Sequence, residues 1–340
     1  MQLNEFLTEF RKKYKAEDII NKMESLRDLK VLVIGDAIID QYHYCSSIGK
    51  SPKDNIMVVK YLSEETFAGG VLAAANHIAG FCDDVQLVTC LGKQETHEDF
   101  IRKRLKKNIH SKFFYREDTY TPIKRRFVEP NKLTKLFGVS ILDDYDLPGD
   151  VANQVCDYLK IHSYDLVLVT DYGHGFINQS IVGELKPFLA INTQTNTDNA
   201  GFNLISKYLS ADYICLDEPE TRLAFQSKYG KLEALIQRIA VDHNCPSIAI
   251  THGQYDTTVW QLGKFYKIPT FSNGIKDTTG AGDAFLAISS LCVARGFPMD
   301  MVGFIGNCVG ALKVKRVCNR SPIEQEELFS FIKELLWTMD

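Results

Sequence analysis

The chain has 340 residues, of which 45% are hydrophobic and 24% are charged, and its formal net charge is −4 at pH 7. This composition predicts a globular protein with one large α/β domain or two small ones. The weak acidity argues against nucleic acid or an anionic membrane as a partner, and no apolar run reaches the roughly 20 residues of a membrane helix. With no signal-peptide pattern at the start, we expect a cytoplasmic protein whose scattered cysteines are reduced and mainly buried.

Residues 1–29 place apolar side chains among many charges at helical spacing. This pattern predicts one or two amphipathic helices that pack on the outside of the main fold. The remainder has no internal repeat and no linker rich in proline or serine, so residues 30–340 are predicted to form one domain.

Short apolar runs, typical of strands buried on both faces, alternate with helical patterns along the domain. Such alternation predicts an α/β fold with a doubly wound, mainly parallel sheet covered by helices on both faces. Two further segments, about 41–67 and 112–139, have short strand-like patterns that do not fit the helix-covered sheet. The predicted buried strands cover residues 30–36, 85–92, 165–173, 188–192, 211–217 and 247–253.

A polar, glycine-rich turn at residues 276–282 runs directly into an apolar helix. The helix is predicted to begin near Ala281, so the free amides of Gly280, Ala281 and Gly282 point out of its N-terminus, where a phosphate binds well. Asp283 would then accept the proton of an attacking hydroxyl while the amides stabilise the transferring phosphoryl group. The alternative is a turn before a core helix, with Asp283 serving only the helix dipole. The spacing fits neither a dinucleotide fingerprint nor a Walker P-loop.

Residues 277–283, Asp-Thr-Thr-Gly-Ala-Gly-Asp, resemble the signature of the ribokinase-like (PfkB) carbohydrate kinases. The segment from Val31 to Tyr44 also resembles the start of the bacterial heptose-7-phosphate kinases of that superfamily. The resemblance implies a ribokinase-like fold and transfer of phosphate from ATP, with Mg²⁺, to a hydroxyl of a sugar or sugar phosphate. The alternatives are a nucleoside or vitamin kinase of the same superfamily and a non-catalytic sugar- or nucleotide-binding regulator. The intact Asp283 argues against the regulator.

In the resembling kinases, two strand-like inserts form a small β-sheet lid over the sugar that is often shared between subunits. The resemblance therefore implies that residues 41–67 and 112–139 form such a lid and that the chain is a homodimer through it. A closed lid excludes water, which would otherwise compete with the sugar as phosphoryl acceptor.

Several acidic and small residues are candidates for binding the sugar. Asp36 and Asp40 follow the first strand, where open sheets bind ligands, although acids can also merely end a strand. The resemblance gives Asp40 a substrate contact and adds Gly70, Asn76 and Asp171.

A basic run, Lys124-Arg125-Arg126, lies in the second insert. In an alternating strand Lys124 and Arg126 share one face and Arg125 takes the other, so at least one cation should face the sugar pocket. We expect Arg125 and Arg126 to bind a phosphate already present on the acceptor. The alternative is a solvated run that protects a strand edge.

The nucleotide side is predicted mainly from the resemblance. Asp217 is suited to cap a helix, and with Glu220 it resembles the Asn-x-x-Glu motif, which implies that Glu220 orders water on Mg²⁺. Thr251 and Gly253 resemble a nucleotide-binding Thr-x-Gly turn. Asn307 is either a satisfied core amide or, by the resemblance, a neighbour of adenine. Asp277 and Thr279, with the loop at 315–320, are implied to hold a monovalent cation, for which we expect K⁺.

Overall fold

The computed structural model describes residues 3–143, 145–272 and 274–337 of the chain. These residues form a large sheet surrounded by helices and a separate small sheet. Within the described ranges, no helix combines the length and the apolar character needed to cross a membrane.

The secondary structure alternates strands and helices, as the sequence pattern predicts. In chain order, the strands are β1 (Lys30–Gly35), β2 (Ala37–Lys50), β3 (Met57–Gly70), β4 (Asp84–Gly92), β5 (Ile109–Arg116), β6 (Ile123–Glu129), β7 (Thr134–Ile141), β8 (Leu166–Asp171), β9 (Leu189–Thr193), β10 (Tyr213–Asp217), β11 (Ser247–Thr251), β12 (Asp256–Gln261) and β13 (Lys264–Pro269). The helices are α1 (Leu3–Lys13), α2 (Ala16–Glu24), α3 (Val71–Ile78), α4 (Glu98–Arg104), α5 (Gly149–Lys160), α6 (Gln179–Val182), α7 (Glu218–Ala224), α8 (Leu232–Asp242), α9 (Ala281–Ala294), α10 (Met299–Lys313) and α11 (Gln325–Leu336), with a 3₁₀ turn at Ile205–Lys207.

Nine strands form the large sheet, in the spatial order β13-β12-β11-β10-β9-β8-β1-β4-β5. From β5 to β11 neighbouring strands run parallel, and β12 and β13 add an antiparallel hairpin at the other edge. The parallel strands other than β5 are the apolar runs predicted as buried strands. The hairpin was not predicted.

Helices cover both faces of the large sheet. On β1, Val31 and Val33 enter one hydrophobic core with α3, α9 and α10, whereas Leu32 and Ile34 enter a second core with α5 and α8. Successive side chains of a strand point to opposite faces, so this division shows that both faces are buried. The predicted doubly wound, mainly parallel α/β fold is confirmed.

Helices α1 and α2 form the predicted N-terminal extension. Their apolar faces contribute to the first of these cores, and the ring of Phe10 stacks on that of Phe304 with 4.4 Å between centroids. The extension therefore contributes side chains to the core of the domain and does not merely cover its surface.

The small sheet contains β3, β2, β6 and β7 in that order. The first predicted insert, 41–67, lies within β2 and β3. The second, 112–139, is wrong at its start, because residues 112–116 belong to β5 and pair in parallel with β4 at the edge of the large sheet. Polar residues at positions 110–112 interrupt the apolar residues of β5, so no continuous apolar run marks it as a buried strand.

Candidate active site

A cavity of about 840 Å³ lies between the small sheet and the carboxyl ends of the parallel strands. Its walls come from the small sheet, from the residues that end or follow β8, β10 and β11, and from the N-terminus of α9. Open α/β sheets bind their ligands at this edge, and the volume is that of a typical small-molecule site.

The turn before α9 has the geometry predicted for an anion site. Gly280 adopts a φ of +78°, and a Cβ there would lie 2.3 Å from Oδ1 of Asn319, so glycine is required. Gly282 has open space where its Cβ would be, which lets an anion approach the backbone. Gly280, Ala281 and Gly282 all line the cavity at the start of a 14-residue helix, whose N-terminus attracts negative charge.

Asp283 lies in the first turn of α9 and is 8% exposed at the cavity wall. Its Oδ1 accepts a hydrogen bond of 2.5 Å from the Tyr172 hydroxyl. Burial raises the pKa of Asp283, and the hydroxyl of Tyr172 and the charge of Lys313 oppose that rise. The bond from Tyr172 orients the carboxylate and leaves Oδ2 to accept the proton of a substrate hydroxyl.

Asp277, at the other end of the turn, is surrounded by donors. Its Oδ1 accepts from the N–H of Thr279 and from the ammonium of Lys135, each at 3.1 Å. Its Oδ2 accepts from the Tyr42 hydroxyl at 2.8 Å and from the N–H of Cys318 at 2.9 Å. Although burial would raise it, these donors lower the pKa of Asp277 to about 2. Asp277 is therefore a fixed anion that anchors the turn.

The potassium ion expected at Asp277 and Thr279 does not fit these surroundings. Nζ of Lys135 lies 3.1 Å from Oδ1 of Asp277 and 2.6 Å from Oγ1 of Thr279. A second ammonium, that of Lys313, lies 2.7 Å from the carbonyl oxygen of Thr279. Two lysine side chains thus contact the groups that were predicted to hold a monovalent cation.

Residues of the small sheet line another wall of the cavity. Asp40 on β2 forms an ion pair with Arg126 on β6, and both line the cavity together with Lys124. Arg125 takes the other face of β6, where its Nε donates to Oε1 of Gln41 at 2.9 Å, and it does not line the cavity. The alternation predicted for this run is present. Asp40 and Arg126 therefore lie at the cavity, and Arg125 lies on the opposite face of the small sheet.

The carboxylate of Asp36 accepts hydrogen bonds from the backbone. It is 4% exposed and accepts from the N–H groups of Tyr172 at 2.9 Å and Phe176 at 3.4 Å. It does not line the cavity, and its predicted substrate contact stays a prediction. Gly70 does line the cavity, with a φ of +58° and no room for a Cβ, which would lie 2.4 Å from the carbonyl oxygen of Asp36.

Asp171 and Asn76 also lie outside the cavity wall. Asp171 is 0% exposed and accepts from Nζ of Lys207 and the hydroxyl of Tyr208, both at 2.7 Å. The Asn76 side chain donates to the carbonyl oxygen of Arg104, the last residue of α4, at 3.1 Å and accepts from the N–H of Lys106 at 3.0 Å. Buried polar groups need such partners, and the predicted substrate contacts of Asp171 and Asn76 stay predictions.

Asp217 and Glu220 form a capping box at the start of α7. The Asp217 carboxylate accepts from the N–H of Glu220 at 2.7 Å, and Oε2 of Glu220 accepts from the N–H of Asp217 at 2.8 Å. Asp217 lines the cavity, while Glu220 is 6% exposed behind it and accepts a further bond from the N–H of Thr195 at 3.2 Å. Burial, with the nearby charge of Asp217, raises the pKa of Glu220 to about 8. Asp217 is thus the carboxylate of this pair that reaches the cavity.

Thr251, Gly253 and Asn307 line the cavity, and their nucleotide contacts stay a prediction. Gly253 has a φ of +59° and open space at its Cβ position. The Asn307 side chain accepts from Oγ1 of Thr257 at 2.7 Å and donates to the carbonyls of residues 268 and 269 at 3.0 and 2.9 Å. Its hydrogen bonds therefore tie α10 to the β12–β13 hairpin, and Asn307 shapes the cavity wall.

The described residues contain no group of three or more His, Cys, Asp and Glu side chains placed to hold a metal ion. The carboxylates that line the cavity are those of Asp40, Asp217, Glu218 and Asp283. Such sparse ligands suit Mg²⁺, which keeps its waters and is commonly held by one or two carboxylates together with substrate phosphates.

Some residues of this site were not chosen as site residues from the sequence. The predicted alternation placed Lys124 on the face of Arg126, but the phosphate contact was assigned to Arg125 and Arg126. Lys313 is the sole charge in the apolar run 302–314, which also could have identified it. Tyr172 and Lys135 carried no such signal, because a tyrosine after a buried strand and a lysine in an exposed one are both common.

Sequence comparisons agree with this geometry. The model of the pfkB family carbohydrate kinases matches residues 28–326. The bifunctional protein HldE of Campylobacter jejuni subsp. jejuni serotype O:6 is 26% identical over 310 residues, which cover 89% of this chain and 64% of that protein. HldE of Trichlorobacter lovleyi is 23% identical over 301 residues, 85% of this chain and 60% of that protein. The chain therefore spans less than two thirds of the length of these relatives.

Solved structures share the fold. Ribokinase from Thermotoga maritima superposes with a TM-score of 0.69 at 16% identity, covering 90% of this chain and 99% of that one. Phosphofructokinase-2 from Escherichia coli in complex with fructose-6-phosphate gives a TM-score of 0.68 at 10% identity, covering 91% and 99%. These matches confirm the predicted ribokinase-like fold. Because the family model covers most of the chain, including the anion-binding turn, the chain belongs to the pfkB family of carbohydrate kinases, phosphotransferases that act on sugar hydroxyls.

Proposed function

We propose that this kinase transfers the γ-phosphate of ATP to a hydroxyl of a sugar that already carries a phosphate, with heptose 7-phosphate as the first candidate. The observation that carries the proposal is the presence of Lys124 and Arg126, two cations on one strand face, in the cavity that holds Asp283. An anionic acceptor matches their charge, whereas a free sugar or a nucleoside does not. The similarity to HldE and the resemblance of residues 31–44 to heptose-7-phosphate kinases support the choice of sugar.

Lys124 and Arg126 each form an ion pair with a carboxylate that an incoming phosphate would replace. Lys124 pairs with Asp198 at 3.2 Å, Arg126 pairs with Asp40, and the cationic side chains are 13% and 24% exposed. A phosphate entering the cavity would take over these contacts, each charge-assisted bond being worth about 1.5 to 3 kcal/mol. Asp40 would then be freed to accept a hydrogen bond from a sugar hydroxyl.

The chemistry follows from the position of Asp283 beside the anion-binding turn. The acceptor hydroxyl would lie between Asp283 and the γ-phosphate, and Oδ2 of Asp283 would take its proton while Tyr172 fixes the carboxylate. The amides of residues 280–282 would stabilise the negative charge that develops on the transferring group. Asp217, which lines the cavity, and Glu220 behind it would hold Mg²⁺, which would supply positive charge to the phosphates of ATP.

ADP release with the free and phosphorylated forms of the same sugar tests the acceptor. We expect wild type to prefer the phosphorylated form, and Lys124→Ala and Arg126→Ala each to lower kcat/KM for that form by about 10- to 100-fold, with a smaller loss for the free sugar. Arg125→Ala is the matched control, because Arg125 bonds Gln41 on the other face, and it should keep the preference. A free sugar as the better wild-type substrate, or an unchanged preference in both cavity variants, would contradict the proposal.

We further propose that the chain is a homodimer through the small sheet. Large apolar side chains that are at least 43% exposed there support this, because monomers rarely expose such a patch: Ile48, Ile56, Met57, Tyr61, Leu62, Phe137 and Val139. Sedimentation velocity should give a dimer for wild type and a monomer for the double variant Tyr61→Lys, Leu62→Lys. A monomeric wild type at micromolar concentration would exclude this interface.

A further inference from the structure

Lys313, the last residue of α10, has a fully buried side chain in an otherwise apolar helix segment. Its ammonium donates to the carbonyl oxygens of Thr279 and Cys318, both at 2.7 Å. Taking a lysine charge out of water costs several kcal/mol unless hydrogen bonds and opposite charges compensate. A hydrophobic side chain would fill this core position at a lower cost in free energy. We therefore expect the charge of Lys313 to serve the neighbouring anion site.

The two carbonyls join the two segments that build the anion site. Thr279 belongs to the turn before α9, and Cys318 to the loop that follows α10. Nζ of Lys313 lies 3.2 Å from the position that a Cβ on Gly280 would occupy. The ammonium is therefore directly behind the backbone that lines the anion site, where it fixes both segments and adds positive charge.

Converging backbone carbonyls are the ligands that bind potassium in proteins. Here they accept hydrogen bonds from an ammonium. The neighbouring carboxylate of Asp277 is already paired with Lys135 at 3.1 Å, and both of its oxygens accept further hydrogen bonds. An added potassium ion would meet two lysine cations and a saturated carboxylate, so these residues do not fit the ion.

We propose that Lys313 is a tethered substitute for the monovalent cation, and that this kinase needs no potassium. Lys313 acts as a positioning residue, because it touches neither reacting atom and holds the turn that binds the phosphoryl group. The inference rests on the proposed kinase function for its effect on turnover, but not for its effect on cation binding.

The first experiment uses the wild-type protein. Turnover is measured in potassium chloride and in tetramethylammonium chloride at matched ionic strength, with potassium-free reagents. We expect equal rates within about twofold. An increase of several-fold in potassium would overturn the proposal, whatever the variants show.

The second experiment removes the cation. In tetramethylammonium, Lys313→Ala should lose about 10-fold or more in kcat, and added potassium should restore part of the loss by entering the vacated space. Lys313→Met fills that space without charge, so it should lose activity that potassium does not restore. Lys333→Ala, at an exposed position on α11, is the control and should behave as wild type in both salts. An unimpaired Lys313→Ala enzyme would refute the positioning role.

The third experiment needs no substrate, so it separates this inference from the proposed reaction. Thermal unfolding of wild type should give the same Tm in both salts, whereas potassium should raise the Tm of Lys313→Ala by a few degrees and leave that of Lys313→Met unchanged. A wild-type Tm that rises specifically with potassium would show that the site binds the ion and that Lys313 does not replace it. If the variants fail to fold, wild-type turnover and wild-type Tm, each compared between the two salts, still decide whether the protein uses potassium.

Discussion

Asp277 and Asp283 stand at the two ends of one turn and are buried to nearly the same degree, with 6% and 8% exposure. Their surroundings differ. Asp277 accepts hydrogen bonds from four donors, including a lysine ammonium, whereas Asp283 accepts one from Tyr172. Burial acts on both, yet the donors bring the pKa of Asp277 down to about 2, while the pKa of Asp283 stays raised.

The comparison shows that burial does not decide what a carboxylate does here. Donors that favour the charged form keep Asp277 ionised, so it serves as an anchor for the turn. Asp283 has few donors and a raised proton affinity, which suits a group that must accept a proton during phosphoryl transfer. Variants at the two ends of the turn should therefore fail in different ways.

The largest effect is expected at Asp283. Asp283→Asn removes the base but leaves the anion site, so kcat should fall by about 10²-fold or more while ATP affinity changes little. ADP release and calorimetric titration with ATP would measure the two quantities. Asp300→Asn is the matched control, because Asp300 is also 8% exposed but pairs with Lys13 outside the cavity. Near-normal turnover of Asp283→Asn would show that Asp283, like Asp277, has only a structural role.

The fold was largely predictable because its parallel strands are buried on both faces and therefore appear as short apolar runs. The failures occur where polar residues interrupt the apolar residues of a strand. In β5 three polar residues separate Ile109 from Phe113, so no continuous apolar run marks the strand, and residues 112–116 were assigned to the wrong sheet. In the hairpin β12–β13, threonines and lysines interrupt the apolar residues, and no continuous run marks either strand.

The site was predictable where the residue type itself is demanded by the geometry. Gly280 must adopt a positive φ, and its spacing from Asp283 fixes both on one turn. Asp36 and Asp171 show the limit of this reasoning, because an acid at a strand end can bind a ligand or close the turn that follows. Only the three-dimensional contacts separate these outcomes, and here both acids accept hydrogen bonds from the protein.

A smaller effect, on stability, is expected at Asp277. Its pKa is lowered from 3.8 to about 2, and at 1.36 kcal/mol per unit this contributes about 2 kcal/mol. Because the folded pKa is depressed, this stability is complete above about pH 5 and is lost as the pH falls from 4 towards 2. Asp277→Asn should thus lower the Tm by a few degrees at pH 7, and the difference from wild type should narrow below pH 4. A difference that stays constant down to pH 2.5 would show that the charge of Asp277 does not stabilise the turn.

The smallest effect is expected at Tyr172, whose hydroxyl is the donor that limits the rise of the Asp283 pKa. Tyr172→Phe removes one hydrogen bond worth about 1 kcal/mol, so the pKa of Asp283 should rise further and the acid limb of kcat/KM should move about 0.5 to 1 pH unit upward. Activity should then fall on the acid side of the profile but remain near wild type on its alkaline side. Tyr208→Phe removes an equally buried bond, 2.7 Å to Asp171 outside the cavity, and should leave the limb in place. Equal shifts in both variants would mean that Tyr172 acts through general packing, whereas a shift in Tyr172→Phe alone shows that a single donor tunes the base.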